Sequence, residues 1–247
     1  MRGLERVNVE FGKEGGLEPM LARLRDRHDA IEQVNKLYES GAMPLALAAR
    51  AVGRDPVETL VGIAGSGIPI RSCEGSHLER GTAFAAINAN EAKGCVVDVT
   101  TLHIIRRLNL ENAVVAVCGP IGIVEGTVLH YQHRARELSE RIDDPDMSLS
   151  YRDGQCYRME VTPEEKRKAL TLAEEDRSWL AENTTVIPAE GKVDPSAYWR
   201  PLIEQFGTSF LDELRAAQGS GRLLLCEDLL LRQMAFLALQ GHGSSPF

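Results

Sequence analysis

The sequence predicts an α/β fold: a mainly parallel sheet flanked by helices, with an inserted β-hairpin and a helical N-terminal extension. Three observations predict it. Short apolar runs alternate with helix-period segments between residues 92 and 239, the rhythm of a parallel sheet covered by helices. Asp153-Gly154 lies between two strand-like segments, a strong signal for a two-residue hairpin turn. Helix starts marked by capping residues and proline precede the first apolar run as well as following it.

The elements follow in order. Residues 1–36 are polar and weakly patterned, and Gly15-Gly16 precedes a helix expected over 17–37. In PLALAARAV a short helix runs to Gly53. Asp55-Pro56-Val57-Glu58 then opens a second: Asp55 caps the free N–H groups, Pro56 suits the first turn and Glu58 completes a capping box. Gly65 and Gly67 end that helix, and 74–93 is a charged segment. Cys95-Val96-Val97 is an apolar run ended by Asp98, followed by a helix over 100–108 with Leu102, Ile105 and Leu108 on one face. A second apolar run, 113–118, takes the strand position in the same rhythm. After Gly119-Pro120 comes an extended piece over 121–124 and a helix over 126–142, carrying Val128, Tyr131, Ala135, Leu138 and Ile142 at helical spacing.

SLSYRDGQCYRMEV, over 148–161, reads as the hairpin. Thr162-Pro163-Glu164-Glu165 opens a long helix with Ala169, Leu172, Ala173, Trp179 and Leu180 as its buried stripe. A strand follows over 184–188, then short helices over 201–206 and 209–217. The last strand spans 222–226, the closing helix 228–239, and 240–247 is a small, polar tail.

Composition sets bounds on function. At 43% hydrophobic and 26% charged, the 247 residues have the balance of a globular chain. A net charge of -8 argues against a surface coated for nucleic acid while leaving room for a local basic groove. The five cysteines are scattered without a CxxC pair, which disfavours both a disulfide framework and a zinc site. The charged N-terminus lacks a signal-peptide core and no apolar run is of bilayer length, so a cytoplasmic protein without a membrane span is expected. No G-x-S-x-G elbow, Walker A pattern or H-E-x-x-H occurs.

The chemistry is expected in acids that follow strands: Asp98 after CVV, and Asp228 after LLLC with Glu227 between them. Ligands of parallel sheets gather outside the carboxyl ends of the strands, so acids there converge although distant in sequence. Asp212 lies on a helix leading into the last strand. Carboxylates gathered in one pocket repel unless a cation sits among them, and Mg²⁺ or Mn²⁺ prefers such oxygen ligands. Taken one at a time, Asp98 and Asp228 read equally as helix caps and Asp212 as a solvated residue. Arg106, Arg107, Arg134, Arg136 and Arg141 read as charges facing water or as the border of an RNA path, and His130 and His133 as surface polarity.

VVDVTTLHIIRRL resembles the opening strand, first acid and following hydroxyl of the PIN-domain family, the VapC-like ribonuclease superfamily, and FLDELRAAQGSGRLLLCEDLLLRQMA resembles its closing block. The resemblance covers about 92–239. It implies a metal-dependent endoribonuclease with Asp98, Asp212 and Asp228 on Mg²⁺ or Mn²⁺, Thr100 orienting a ligand or water, single-stranded or structured RNA as substrate, and a homodimer by analogy. The family's second acid has no carboxylate in its expected neighbourhood, TVLHYQHR; Glu125, one turn earlier, is the substitute. That departure keeps open a catalytically inactive PIN-like binding module in a toxin-antitoxin or defence assembly.

Within the extension, 1–91, the segment 37–71 resembles UPF0175-type antitoxin-like proteins. This implies an accessory helical element, either docking a protein partner through the N-terminal helices or serving a DNA-binding regulator. Scarce lysine over 44–70 favours packing or partner contact.

Overall fold

A strand only a few residues long leaves its backbone groups unpaired unless neighbours take them up, so the short apolar runs of this chain can persist only side by side. The computed structural model describes residues 5–6, 18–72, 76–144, 146–152, 155–193, 200, 204 and 209–240. Its elements in chain order begin with β1 (Glu5–Arg6), α1 (Glu18–Glu39), α2 (Leu45–Ala51), α3 (Pro56–Ser66) and α4 (His77–Asn90). Then come β2 (Cys95–Val97), α5 (Val99–Leu108), α6 (Glu111–Cys118), β3 (Ile121–Ile123) and α7 (Glu125–Glu140). The remainder are β4 (Asp146–Arg152), β5 (Gln155–Val161), α8 (Pro163–Asn183), β6 (Thr185–Val186), α9 (Asp212–Ser220), β7 (Leu223–Leu225) and α10 (Leu229–Gln240).

A parallel sheet of order β6-β3-β2-β7 is flanked by helices, as the alternation predicts. Its centre is β2, with Cys95 opposite Ile121 on one side and Leu223 on the other. Burial on both faces is why CVV is apolar throughout. Cys95 and Val97 point into a cluster with Leu102, Ile105, Ile121, Ile123, Tyr131 and Leu180, whereas Val96 points to the other face with Ile187, Ala216 and Ala217. Gly122 in β3 lets the chain lie against β6's exit, since a Cβ there would stand 2.6 Å from Ile187 Cγ1.

The second strand is not where the apolar run suggests. Residues 113–118 fall in α6, and β3 is the shorter Ile121–Ile123. A short apolar run fits a helix or a buried strand equally. Here the left-handed Asn109 ends α5 just upstream, and Gly119, at φ 87°, ends α6 and turns the chain into β3; a Cβ on Gly119 would collide with Ala92 O. The charged segment 74–93 contains α4, started by Ser76, whose side chain accepts from Glu79 N at 3.1 Å.

β4 and β5 form the expected hairpin, with Arg152 opposite Gln155 and β1 adding a third antiparallel strand. The turn residues Asp153-Gly154, Gly15-Gly16 and the tail after Gln240 lie outside the described residues, as does the helix expected over 201–206 except for Glu204.

The helices before the sheet share its core. Met43, Leu47 and Ala48 pack with Leu211, Leu214, Leu230 and Ala235 from the end of the chain. Leu47 is fully buried in that cluster. Leu47→Ala is expected to destabilise the protein by about 2–5 kcal/mol, the usual range for a Leu-sized cavity. Because the cluster draws on both ends of the chain, urea unfolding of the variant followed by circular dichroism and by tryptophan fluorescence should show one coincident, shifted transition. A separate early transition in one probe would mean the first helices melt independently.

Candidate active site

β2 delivers Asp98 to the carboxyl edge of the sheet from its central position, and the chain turns at once into α5. The four free N–H groups at a helix start need acceptors, and Asp98 supplies them from the N-cap position. Its Oδ2 accepts from Thr100 N at 3.0 Å, Thr101 N at 3.3 Å and the Thr100 hydroxyl, and its Oδ1 accepts from the Thr101 hydroxyl. Thr100 thus orients the acid itself. Thr101 does more: its Oγ1 also accepts from Glu227 N at 2.7 Å, tying the end of β7 to Asp98. The sequence reading passes over Thr101, although a hydroxyl three residues after an N-cap acid is placed to reach back to it.

β7 lies next to β2, so its exit, Cys226-Glu227-Asp228, emerges beside Asp98. Asp228 is buried. Its Oδ1 accepts from Leu230 N at 3.0 Å and Leu231 N at 3.2 Å, capping α10, and its Oδ2 accepts from Leu45 N, the first residue of α2. One carboxylate therefore caps two helices from opposite ends of the chain. Arg232 braces the same turn, donating to Cys226 O at 3.0 Å and reaching Glu79 Oε1 of α4 at 3.2 Å.

α9 brings two further acids. Asp212 is half-buried and pairs with Arg215 NH1 at 3.4 Å. Glu213, which the reading of the sequence does not single out, shares a helix face with the buried Ala216 and Ala217 and interacts electrostatically with Asp98. That face is legible in DELRAA as i, i+3, i+4 spacing. Glu125 opens α7 at the end of β3 and is exposed. It is not among the charges acting on Glu213, Glu227 or Asp228.

The electrostatics of this edge are those of acids crowded in low dielectric. Burial, with Asp98 and Asp212 adding to it, pushes Glu213 up to about 8. Burial pushes Asp228 up to about 6, opposed by the N–H groups of Leu45, Leu231 and Leu230 and reinforced by Asp98. Burial also raises Glu227, partly offset by Arg232, and drives the Cys226 thiol up with help from Asp98 and Asp228. Among the described residues no basic side chain is among the groups acting on Glu213 or Asp228, so burial holds both towards the neutral acid, and a cation is the counter-charge that would favour their ionised forms. Among the described residues no group of three or more His, Cys, Asp or Glu side chains is placed to hold a metal ion. The donors suit a hard ion that takes one or two carboxylates and keeps its waters, as Mg²⁺ does.

The basic and aromatic candidates separate. Arg106 and Arg107 both bind Asp176 of α8, Arg106 also binds Glu111, and it stacks on Trp179 at 4.7 Å; they are structural. His130 Nδ1 lies 3.1 Å from Asp55 Oδ2, and His133 pairs with Glu137 at 3.3 Å, so the two rings are not a metal pair.

A family model described as the PIN domain associated with the TPR-GreAB-C-PIN system matches residues 96–237. No curated protein and no solved structure matches the chain.

The raised Glu213 carboxyl makes stability depend on pH with a defined sign. With its folded value near 8 and its unfolded value near 4.5, the folded state holds the extra proton between them. Stability is therefore greatest below about pH 4.5 for this group and is lost as pH rises towards 8. The melting temperature in EDTA should fall between pH 5 and pH 8, and Glu213→Gln should flatten that fall. Parallel curves for the two proteins would show that Glu213 ionises normally.

Proposed function

This chain belongs to the PIN-domain family, and on that premise we propose that it is a metal-dependent endoribonuclease acting on RNA phosphodiester bonds. The observation that carries the reading is the placement of acids at one sheet edge: Asp98 and Asp228 leave adjacent parallel strands, and Glu213 on α9 interacts electrostatically with Asp98. Asp98 and Asp228 would supply the one or two carboxylates that Mg²⁺ or Mn²⁺ takes, with Glu213 as a neighbouring charge and Asp212 and Glu125 as further candidates from the sequence. When bound, the ion supplies an acidified water and a positive charge against the phosphoryl oxygens. Thr100 and Thr101 fix the Asp98 carboxylate by hydrogen bonds. Were an ion to bind, Glu213 would give up its proton, so metal binding would release protons. In this reading the protein is VapC-like and cytoplasmic, works as a homodimer, and uses 37–71 as an antitoxin-like contact for a protein partner.

A second reading rests on a specific observation. Most lone pairs of Asp98 and Asp228 are spent on helix N–H groups and hydroxyls, which favours an inactive PIN-like module in a toxin-antitoxin or defence assembly. A DNA-binding regulator is less favoured, because α2 is buried along Leu45, Leu47, Ala48 and Ala49 and offers little surface to a duplex.

Two measurements decide between them. Purified protein should cleave single-stranded RNA with Mn²⁺ and stop in EDTA, and Glu213→Gln, which disturbs no cap, should reduce the rate roughly 10²-fold, typical for one charge-stabilising group. RNA left intact by the native protein across the divalent ions would favour the inactive module. Asp228→Asn should lose thermal stability even in EDTA, since an amide cannot accept at all three N–H positions and one buried donor is orphaned at about 1–3 kcal/mol. It should also lose part of the Mn²⁺-induced rise in melting temperature, and a rise equal to that of the native protein would remove Asp228 from the ion.

A further inference from the structure

The chain is acidic overall, yet its arginines are not evenly spread. A cleft of about 1340 Å³ opens between α1, the α2–α3 joint, α7 and α8, and Arg27, Arg54, Arg134, Arg136, Arg141 and Arg177 line it. These side chains come from four separate parts of the chain, so their meeting is a product of the fold and not of one basic helix. Of the three acids that line the cleft, Asp55 and Glu137 are engaged and Glu58 is exposed. Asp55 caps α3 through Val57 N and Glu58 N and pairs with His130 and Arg134, and Glu137 pairs with His133. Arg27, Arg54 and Arg177 are exposed and carry no ion pair among the described residues.

We propose that this cleft is the track that holds the phosphate backbone of single-stranded RNA as it approaches the acids at the sheet edge; the inference rests on the ribonuclease reading and supplies its substrate path. Connectivity sets the direction. α7 begins with Glu125 at the carboxyl end of β3, the strand next to β2 and Asp98, and continues into the cleft, with Arg134 roughly 14 Å further along at the usual helical rise. Planar guanidinium groups bind phosphate through paired donors and stack on bases. The exposed His133 ring and the Leu129 side chain add flat and apolar surface between them, as unpaired bases require. The chain as a whole carries a net charge of -8, so a polyanion is favoured only where basic side chains cluster.

The test separates the cleft from the chemistry. Binding of a short, labelled, mixed-sequence single-stranded RNA is followed by fluorescence anisotropy in EDTA, across a salt series, for the full chain. The native protein is compared with the triple variant Arg27→Gln, Arg54→Gln, Arg177→Gln and with a charge-matched control outside the cleft, Lys36→Gln, Lys93→Gln, Lys168→Gln. Single strands contribute a slope of about 0.7 per phosphate contact, so the cleft triple should lower the magnitude of the log-log salt slope by about 2 and weaken binding tenfold or more at low salt. The control should keep the native slope. Absence of native binding, or equal losses in the two triples, overturns the proposal. If the cleft triple unfolds early, Arg177→Gln alone should reduce the slope by about 0.7, and an unchanged slope counts against the cleft. RNA bound through the cleft but left uncut in Mn²⁺ sinks the ribonuclease reading alone, whereas cleavage with KM unchanged in the cleft triple sinks the cleft alone.

Discussion

The architecture depends on one buried carboxylate. Asp228 sits where burial strongly disfavours charge, and the cost is offset by three backbone N–H groups at the starts of α2 and α10. Helix N-termini carry partial positive charge as well as unsatisfied donors, so the acid and the two helices solve each other's problem. The consequence reaches across the chain. Leu45 lies outside the stretch 96–237 that defines the family domain, yet its N–H has its acceptor inside it, and Met43, Leu47 and Ala48 fill the same cluster as Leu214 and Leu230. The first helices are therefore held by a polar bond and by apolar packing together, and the position of Asp228 beside Asp98 is fixed by helices that have no direct part in the chemistry.

The same capping rule explains which elements are legible in the sequence. Asp55-Pro56, Thr162-Pro163 and Asp98 followed by Thr100 are local signals, resolved within a few residues, and the structure has helix starts at each. The hairpin register, with Asp146 opposite Val161, agrees with the alternation of its two strands. Residues 113–118 mislead because apolarity alone does not choose between strand and helix; Gly119 and the crowding around it make the choice. The site divides on the same line. Asp98 and Asp228 stand out because each follows an apolar strand, but the bond from Leu45 to Asp228 spans 183 positions and leaves no local trace. Glu213 is easily passed over beside Asp212, but the small residues three and four positions on, Ala216 and Ala217, mark its face as the buried one.

Arginine placement shows why counting charges on a helix face is insufficient. Arg106 and Arg107 look as available in sequence as Arg134 and Arg136, yet Asp176, itself buried on α8, captures both of the former. An unpaired Asp176 would be an uncompensated buried charge, so the pairing is a demand of the α5–α8 interface.

α7 joins the two electrostatic regions. Its first turn carries Glu125 at the acidic sheet edge, and its later turns carry His133, Arg134 and Arg136 into the basic cleft, an order that also complements the helix dipole. A helix is stiff over this length, so the separation between acids and arginines is set by rise per residue and not by loop conformation. The acids must stay clustered for a cation to bind, and that clustering repels RNA. In the proposed reading, a rigid basic surface at a fixed distance would answer the repulsion without neutralising the acids: it would hold the backbone where a cation could act, and it would keep arginine out of direct pairing with Asp98 and Glu213.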